Sequence, residues 1–182
     1  MKTIIKFMKH FLILLALLIL QLAVIPALPD PLNELKIIFI VIVFCSLAYS
    51  FPFAIFYVFA LTPILDLYSA LPFGVITAIF LFVIFLLKEI FEKLFTNKSY
   101  YSMIVISGIG LALLKIFALA SKSLLYFFTN KDMAQIGRML AIELDGLALY
   151  FVLNLLFVTA LFIIFHATSK RFKAVFVDTV RK

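Results

Sequence analysis

Residues 37–65 read IIFIVIVFCSLAYSFPFAIFYVFALTPIL. A helix that crosses a bilayer needs about 17 to 25 apolar residues, so this run is long for one span and short for two. Its apolar character breaks at Tyr49-Ser50-Phe51-Pro52. Proline lacks an amide hydrogen and biases the residue before it away from helix, so Pro52 marks either a kink in one helix or a turn between two short ones. The other apolar runs are plainer, at about 10–28, 73–95, 101–120 and 146–167. The reading of 37–65 therefore decides between five spans and six.

Charge favours six. With six spans both termini share a side, and Lys2, Lys6, Lys9, Lys88, Lys93, Lys98, Lys170, Arg171, Lys173, Arg181 and Lys182 all face the cytoplasm. Lys36, Lys122, Lys131 and Arg138 face outward, and Lys115 falls within a span. Five spans would put the basic tail outside, against the positive-inside tendency. The expectation is an all-α, polytopic membrane helix bundle of about six transmembrane helices with cytoplasmic N- and C-termini. Residues 1–182 form a single integral membrane domain.

Composition agrees. Apolar residues make up 66% of the chain and mean hydropathy is +1.26, against about 45–50% apolar content in soluble domains. The net charge of +7 points to lipid headgroups rather than nucleic acid, because the basic residues gather at span ends. Cys45 is the single cysteine, which excludes an intrachain disulfide or a thiolate metal cluster. The apolar stretch Phe11–Leu28 exceeds a secretory h-region and lacks an A-x-A site, so it reads as a retained span.

The run Ile64-Leu65-Asp66-Leu67-Tyr68-Ser69-Ala70-Leu71-Pro72-Phe73-Gly74 holds a carboxylate among apolar residues, a placement that needs a reason in lipid. Pro72 suits the first turn of a following helix, so 66–72 reads as a connection returning the chain into the membrane. A carboxylate there gains from the free amides and positive dipole end of that helix, or else simply meets water at the interface. Lys115, about 21 Å along its helix from Tyr101 by the usual rise per residue, either snorkels to the outer headgroups or pairs with Asp66, Glu143 or Asp145.

Gly74 with Ala78, and Gly108 with Ala112, have the small-x-x-x-small spacing that lets helices approach, and Ser107 and Gly110 neighbour Gly108. In the connection 121–145, Met133, Ile136, Leu140 and Leu144 recur at helical spacing, with Asn130 placed to cap. A helix there either lies on the membrane surface or packs on the bundle. His10 and His166 stand at span ends, and no H-E-x-x-H, G-x-S-x-G or phosphate-loop pattern occurs. No enzymatic activity, cofactor or metal is expected.

Asp66, Leu67, Ser69, Pro72, Phe73 and Gly74 form a D-L-x-S-x-x-P-x-G turn, and Asn154 stands early in the last helix ahead of the basic Lys170-Arg171. In these features the chain resembles the MreD family of rod-shape-determining membrane proteins. The resemblance implies a scaffold of lateral cell-wall elongation in the bacterial inner membrane, without enzymatic activity. Its expected partners are an MreC-type protein and, through it, the MreB cytoskeleton and peptidoglycan synthases. Asp66, Ser69, Pro72, Phe73, Gly74, Gly108, Lys115 and Asn154 are the candidate structural or partner-contact residues. A second likeness is to the substrate-binding subunit of energy-coupling-factor vitamin transporters, which docks its partner through an Ala-x-x-x-Ala pair. Ala23 and Ala27 have that spacing, with Pro26 between them. Only this alternative implies a small-molecule ligand, held by several convergent polar groups.

Overall fold

The computed structural model describes residues 2–48, 50–94, 100–130 and 133–168, and within these the chain is helical with no strand. Its elements are α1 (Lys2–Ile19), α2 (Ile37–Ala48), α3 (Phe51–Leu67), α4 (Val75–Leu94), α5 (Tyr100–Asn130), α6 (Met133–Asp145) and α7 (Leu147–Thr168). Lys98, Lys131 and the basic tail from Lys170 lie outside the described residues.

The 37–65 run divides. Its two helices end and begin on either side of residues 49–50, and Ser50 is extended (φ −164°, ψ 149°), with Pro52 in the first turn of α3. Pro52 therefore starts a helix, where its missing N–H would have been unsatisfied anyway. α2 and α3 pack against each other. α2 is apolar all round and buried from Ile37 to Leu47 except at Val41 and Ser46, as befits a central helix. Phe39 meets Phe80 of α4 edge to face at 5.4 Å, and Phe44 meets Phe162 of α7 at 5.2 Å. These contacts join the core that α2, α3, α4, α5 and α7 share.

The first apolar run is not one regular helix. After α1 it widens to a π turn, Leu20–Val24, then tightens to a 3-10 turn, Ile25–Ala27. Pro26 supplies the cause: it cannot donate to the carbonyl four residues back, and its ring crowds that carbonyl. α5 differs from expectation in the other direction. It continues past Ala120 to Asn130, so the first ten residues of the expected polar connection belong to this helix and Asn130 is its last residue. Ser121-Lys122-Ser123 are polar, but all three form helix readily enough when one face is supported by packing.

Among the described residues two helices, Tyr101–Phe128 and Leu147–Ile164, are long and apolar enough to cross a membrane. Only 33% and 22% of their apolar windows is buried inside the protein, whereas the core helix of a soluble domain hides most of its surface. Shorter apolar helices cover Phe11–Ala27, Ile37–Leu47 and Phe51–Leu67. Large side chains including Phe11, Phe56, Phe59, Phe82, Phe85, Val152, Leu156 and Ile163 face outward. So much exposed apolar surface marks a face that something apolar must cover.

Candidate functional site

The turn from α3 to α4 is built around Asp66, which is 3% exposed. α4 begins without a side-chain cap of its own, because the residue before Val75 is Gly74, held at φ +92°, a conformation that glycine tolerates best. Asp66, on the last turn of α3, fills that role from a distance. Its Oδ1 accepts the Ile76 amide at 2.8 Å, and its Oδ2 accepts the Thr77 amide at 3.1 Å and the Thr77 hydroxyl at 2.5 Å. Three donors meet one carboxylate at a helix start, where the dipole also favours negative charge. Thr62, one turn before Asp66, extends the network. Its hydroxyl lies 2.9 Å from Thr77 Oγ1 and 2.8 Å from the Val58 carbonyl, and its single proton serves one acceptor at a time.

The remaining turn residues have local tasks. Ser69 Oγ accepts the Leu71 amide at 3.2 Å and lies 3.0 Å from the Asp66 carbonyl. The Pro72 carbonyl accepts the Val75 amide, so Pro72 stands three residues ahead of α4 rather than in its first turn. Phe73 is 69% exposed. Leu67, in the same motif, is likewise exposed, at 72%.

At the same end of the bundle the irregular segment before α2 is held from both sides. Asn154 of α7, fully buried, accepts the Lys36 amide at 2.9 Å and donates to the carbonyls of Tyr150 at 2.9 Å and Glu34 at 3.3 Å. Gln21, in the π turn, donates to the Leu35 carbonyl at 3.0 Å and accepts the Ile38 amide at 3.3 Å. Backbone that leaves regular helix in an apolar setting must find such partners, since each unsatisfied group costs several kcal/mol.

A charged cluster lies beside this segment. Glu143 of α6 accepts Lys115 Nζ at 2.5 Å and Lys122 Nζ at 2.6 Å, and Glu34 is 3.8 Å from Lys115. Lys115 also sits 5.1 Å from the centre of the Tyr150 ring. Partial burial opposes ionisation of Glu143, but the hydrogen bonds and charges of the two lysines prevail and hold its carboxyl at about 2. Lys115 thus pairs with Glu143 and Glu34, while Asp66 is occupied by α4. The Tyr150 hydroxyl is buried and has no hydrogen-bond partner among the described residues.

Between these features lies a partly open cavity of about 440 Å³. Lys36, Lys115, Lys122, Glu143 and Gln21 give it a charged end, and Ile38, Phe39, Leu65, Ile76, Ile79, Phe80 and Leu114 give it apolar walls. The opposite end of the bundle carries solvent-exposed pairs, Lys88 with Glu92 and Lys93 with Glu89, of the kind worth little to stability. Among the described residues no group of three or more His, Cys, Asp or Glu could hold a metal ion.

The glycine contacts differ from the spacing argument. A Cβ on Gly108 would meet Leu155 Cδ2 at 3.5 Å, an ordinary contact. A Cβ on Gly110 would meet Leu87 Cδ1 at 2.6 Å and the Phe39 ring at 3.1 Å. The close approach is therefore at Gly110, against α4 and α2, and Gly108 marks a looser α5–α7 contact. Sequence reasoning passed over Gln21, Thr62 and Thr77, gave Lys36 only as an outward-facing charge, and gave Glu143 only as one of three partners open to Lys115. Gln21 was visible as the lone polar residue between Phe11 and Leu28, and Thr62 as one helical turn from Asp66.

No protein-family profile, curated protein or solved structure matches the chain.

Proposed function

We propose that the chain is a non-enzymatic, multi-pass inner-membrane scaffold of bacterial cell-wall elongation, of the kind its resemblance to MreD implies. In this reading six helices cross the bilayer, both termini are cytoplasmic, and the bundle binds an MreC-type partner. What supports it most is the engagement of Asp66. Its side-chain hydrogen bonds all join α3 to the start of α4, so the carboxylate of the most distinctive motif serves architecture rather than proton chemistry. The outward-facing apolar side chains, Phe73 among them, are available to lipid or to a partner helix.

The alternative, a vitamin-type transporter subunit, has the cavity in its favour. Of the four titratable Lys and Glu side chains lining it, however, Lys115, Lys122 and Glu143 are joined to one another. A specific polar ligand would meet few free partners, so this reading stands second.

Complete loss of the protein from its native cell tests the proposal. Rod shape should be disturbed. Normal shape, together with saturable binding of a vitamin-sized ligand by the purified chain, would reject the scaffold in favour of the transporter subunit.

A further inference from the structure

The cavity has two unlike ends and one unspent charge. Three lysines and one glutamate meet at its charged end. Glu143 is taken by Lys115 and Lys122, and Glu34 lies beside Lys115. Lys36 lines the same end and forms no ion pair with any described residue. An ammonium partly withdrawn from water without a counter-ion is unfavourable. Burial, reinforced by the charges of Lys115 and Lys122, accordingly pulls the Lys36 pKa below the ordinary lysine value, against the opposing influence of Glu34 and Glu143.

The opposite wall carries no charge. Ile38, Phe39, Leu65, Ile76, Ile79 and Phe80 line it, contributed by α2, α3 and α4. A small hydrophilic anion would satisfy Lys36 and leave this wall unused, while a neutral apolar molecule would do the reverse. The volume, about 440 Å³, falls within the range of small-molecule sites. It suits a headgroup with the first part of an acyl chain.

We infer that this cavity is a binding site for an acidic phospholipid, with the lipid phosphate on Lys36 and the upper acyl chain along the Ile38–Ile76–Phe80 wall. The excess of cations over carboxylates at the charged end selects the headgroup, and the apolar wall of the partly open cavity accommodates the chain. Bound lipid supplies the counter-ion that no described residue provides. It also ties α2, α3 and α4 together at the end where their regular backbone stops. This inference is independent of the scaffold reading, since it names a ligand and no partner protein.

The test is native mass spectrometry of the whole chain released from nanodiscs containing equal amounts of phosphatidylglycerol and phosphatidylcholine. The expected result is at least tenfold preferential retention of phosphatidylglycerol. Lys36→Met keeps the length of the side chain and the backbone N–H that Asn154 accepts; it should abolish the preference while leaving thermal stability in phosphatidylcholine nanodiscs unchanged or raised. Lys36→Arg should keep it. Equal retention of the two lipids by the unaltered protein overturns the proposal, and so does a preference that survives in Lys36→Met. Should Lys36→Met fail to fold, the wild-type selectivity decides alone. Addition of inorganic phosphate to phosphatidylcholine nanodiscs separates the sources of the anion: little stabilisation is expected, and stabilisation equal to that by phosphatidylglycerol would overturn the assignment of the apolar wall to an acyl chain.

Discussion

Asn154 and Lys36 are 118 residues apart, yet the side-chain oxygen of the first accepts the backbone amide of the second at 2.9 Å. Through this bond, and a donated one to the Glu34 carbonyl, the last helix fixes the backbone that leads into the central helix. Asn154→Leu removes both at a site that is 0% exposed. Each buried backbone group left without a partner costs about 1–3 kcal/mol, so the variant should lose several kcal/mol. Thermal unfolding in detergent measures the loss, and a midpoint within about 2 °C of wild type would show that the backbone finds other partners.

Asp66→Leu and Asp66→Asn should separate. Leu leaves the amides of Ile76 and Thr77 and the Thr77 hydroxyl without their acceptor, whereas Asn keeps one accepting oxygen. Loss of a helix cap costs about 0.5–2 kcal/mol, and burial of the orphaned donors adds to it. Asn should fold with a modest loss, and Leu should be severely destabilised. Equal damage from both, in protein that remains folded, would mean that the negative charge itself is required.

Gly110→Ala should destabilise and Gly108→Ala should not. The new methyl group at 110 must displace Leu87 and the Phe39 ring, both fully packed, and such overpacking typically costs about 1–3 kcal/mol. At 108 the methyl group has room against Leu155, and the gain in helix propensity is up to about 1 kcal/mol. Reversal of this order would place the close contact at Gly108 after all.

The Glu143 carboxyl titrates at about 2 rather than near 4.5. A depressed carboxylate stabilises the fold above its unfolded-state pKa, and that contribution fades as pH falls from about 4.5 toward 2. Unfolding midpoints measured across this window should fall for wild type and fall less steeply for Glu143→Gln, which is already weaker at neutral pH. Parallel curves would assign the acid sensitivity to other carboxylates.

Tyr150→Phe should be neutral or stabilising. The hydroxyl it removes is buried without a partner among the described residues, and deletion of an unsatisfied polar group relieves a desolvation cost. The ring beneath Lys115 is kept. A loss above about 1 kcal/mol in urea or thermal unfolding would reveal a hydrogen bond to the hydroxyl.

Helix period and proline chemistry carried much of the fold into view. The break at Pro52 was half legible: proline alone allowed a kink as well as a turn, as Pro63 inside α3 shows, and it was the charge bias that chose two short helices over residues 37–65. The extension of α5 to Asn130 was not legible, because Lys122 is polar by composition and its pairing with Glu143, 21 residues later, is a tertiary fact. The same holds for Gly110: spacing alone cannot tell which glycine in Gly108-Ile109-Gly110 faces a neighbouring helix. The candidate turn was half legible. Asp66 and Pro72 announced a turn whose carboxylate meets either the next helix start or water, but that Thr77 and Thr62 complete a capping network depends on how α3 and α4 lie against each other.

Affinity purification of the tagged protein from its native membranes, with identification of everything recovered, tests the scaffold proposal most directly. A single-span, periplasm-facing partner of the MreC type is expected. Recovery of nucleotide-hydrolysing transporter subunits with a bound vitamin-sized molecule, and no such partner, would contradict the proposal.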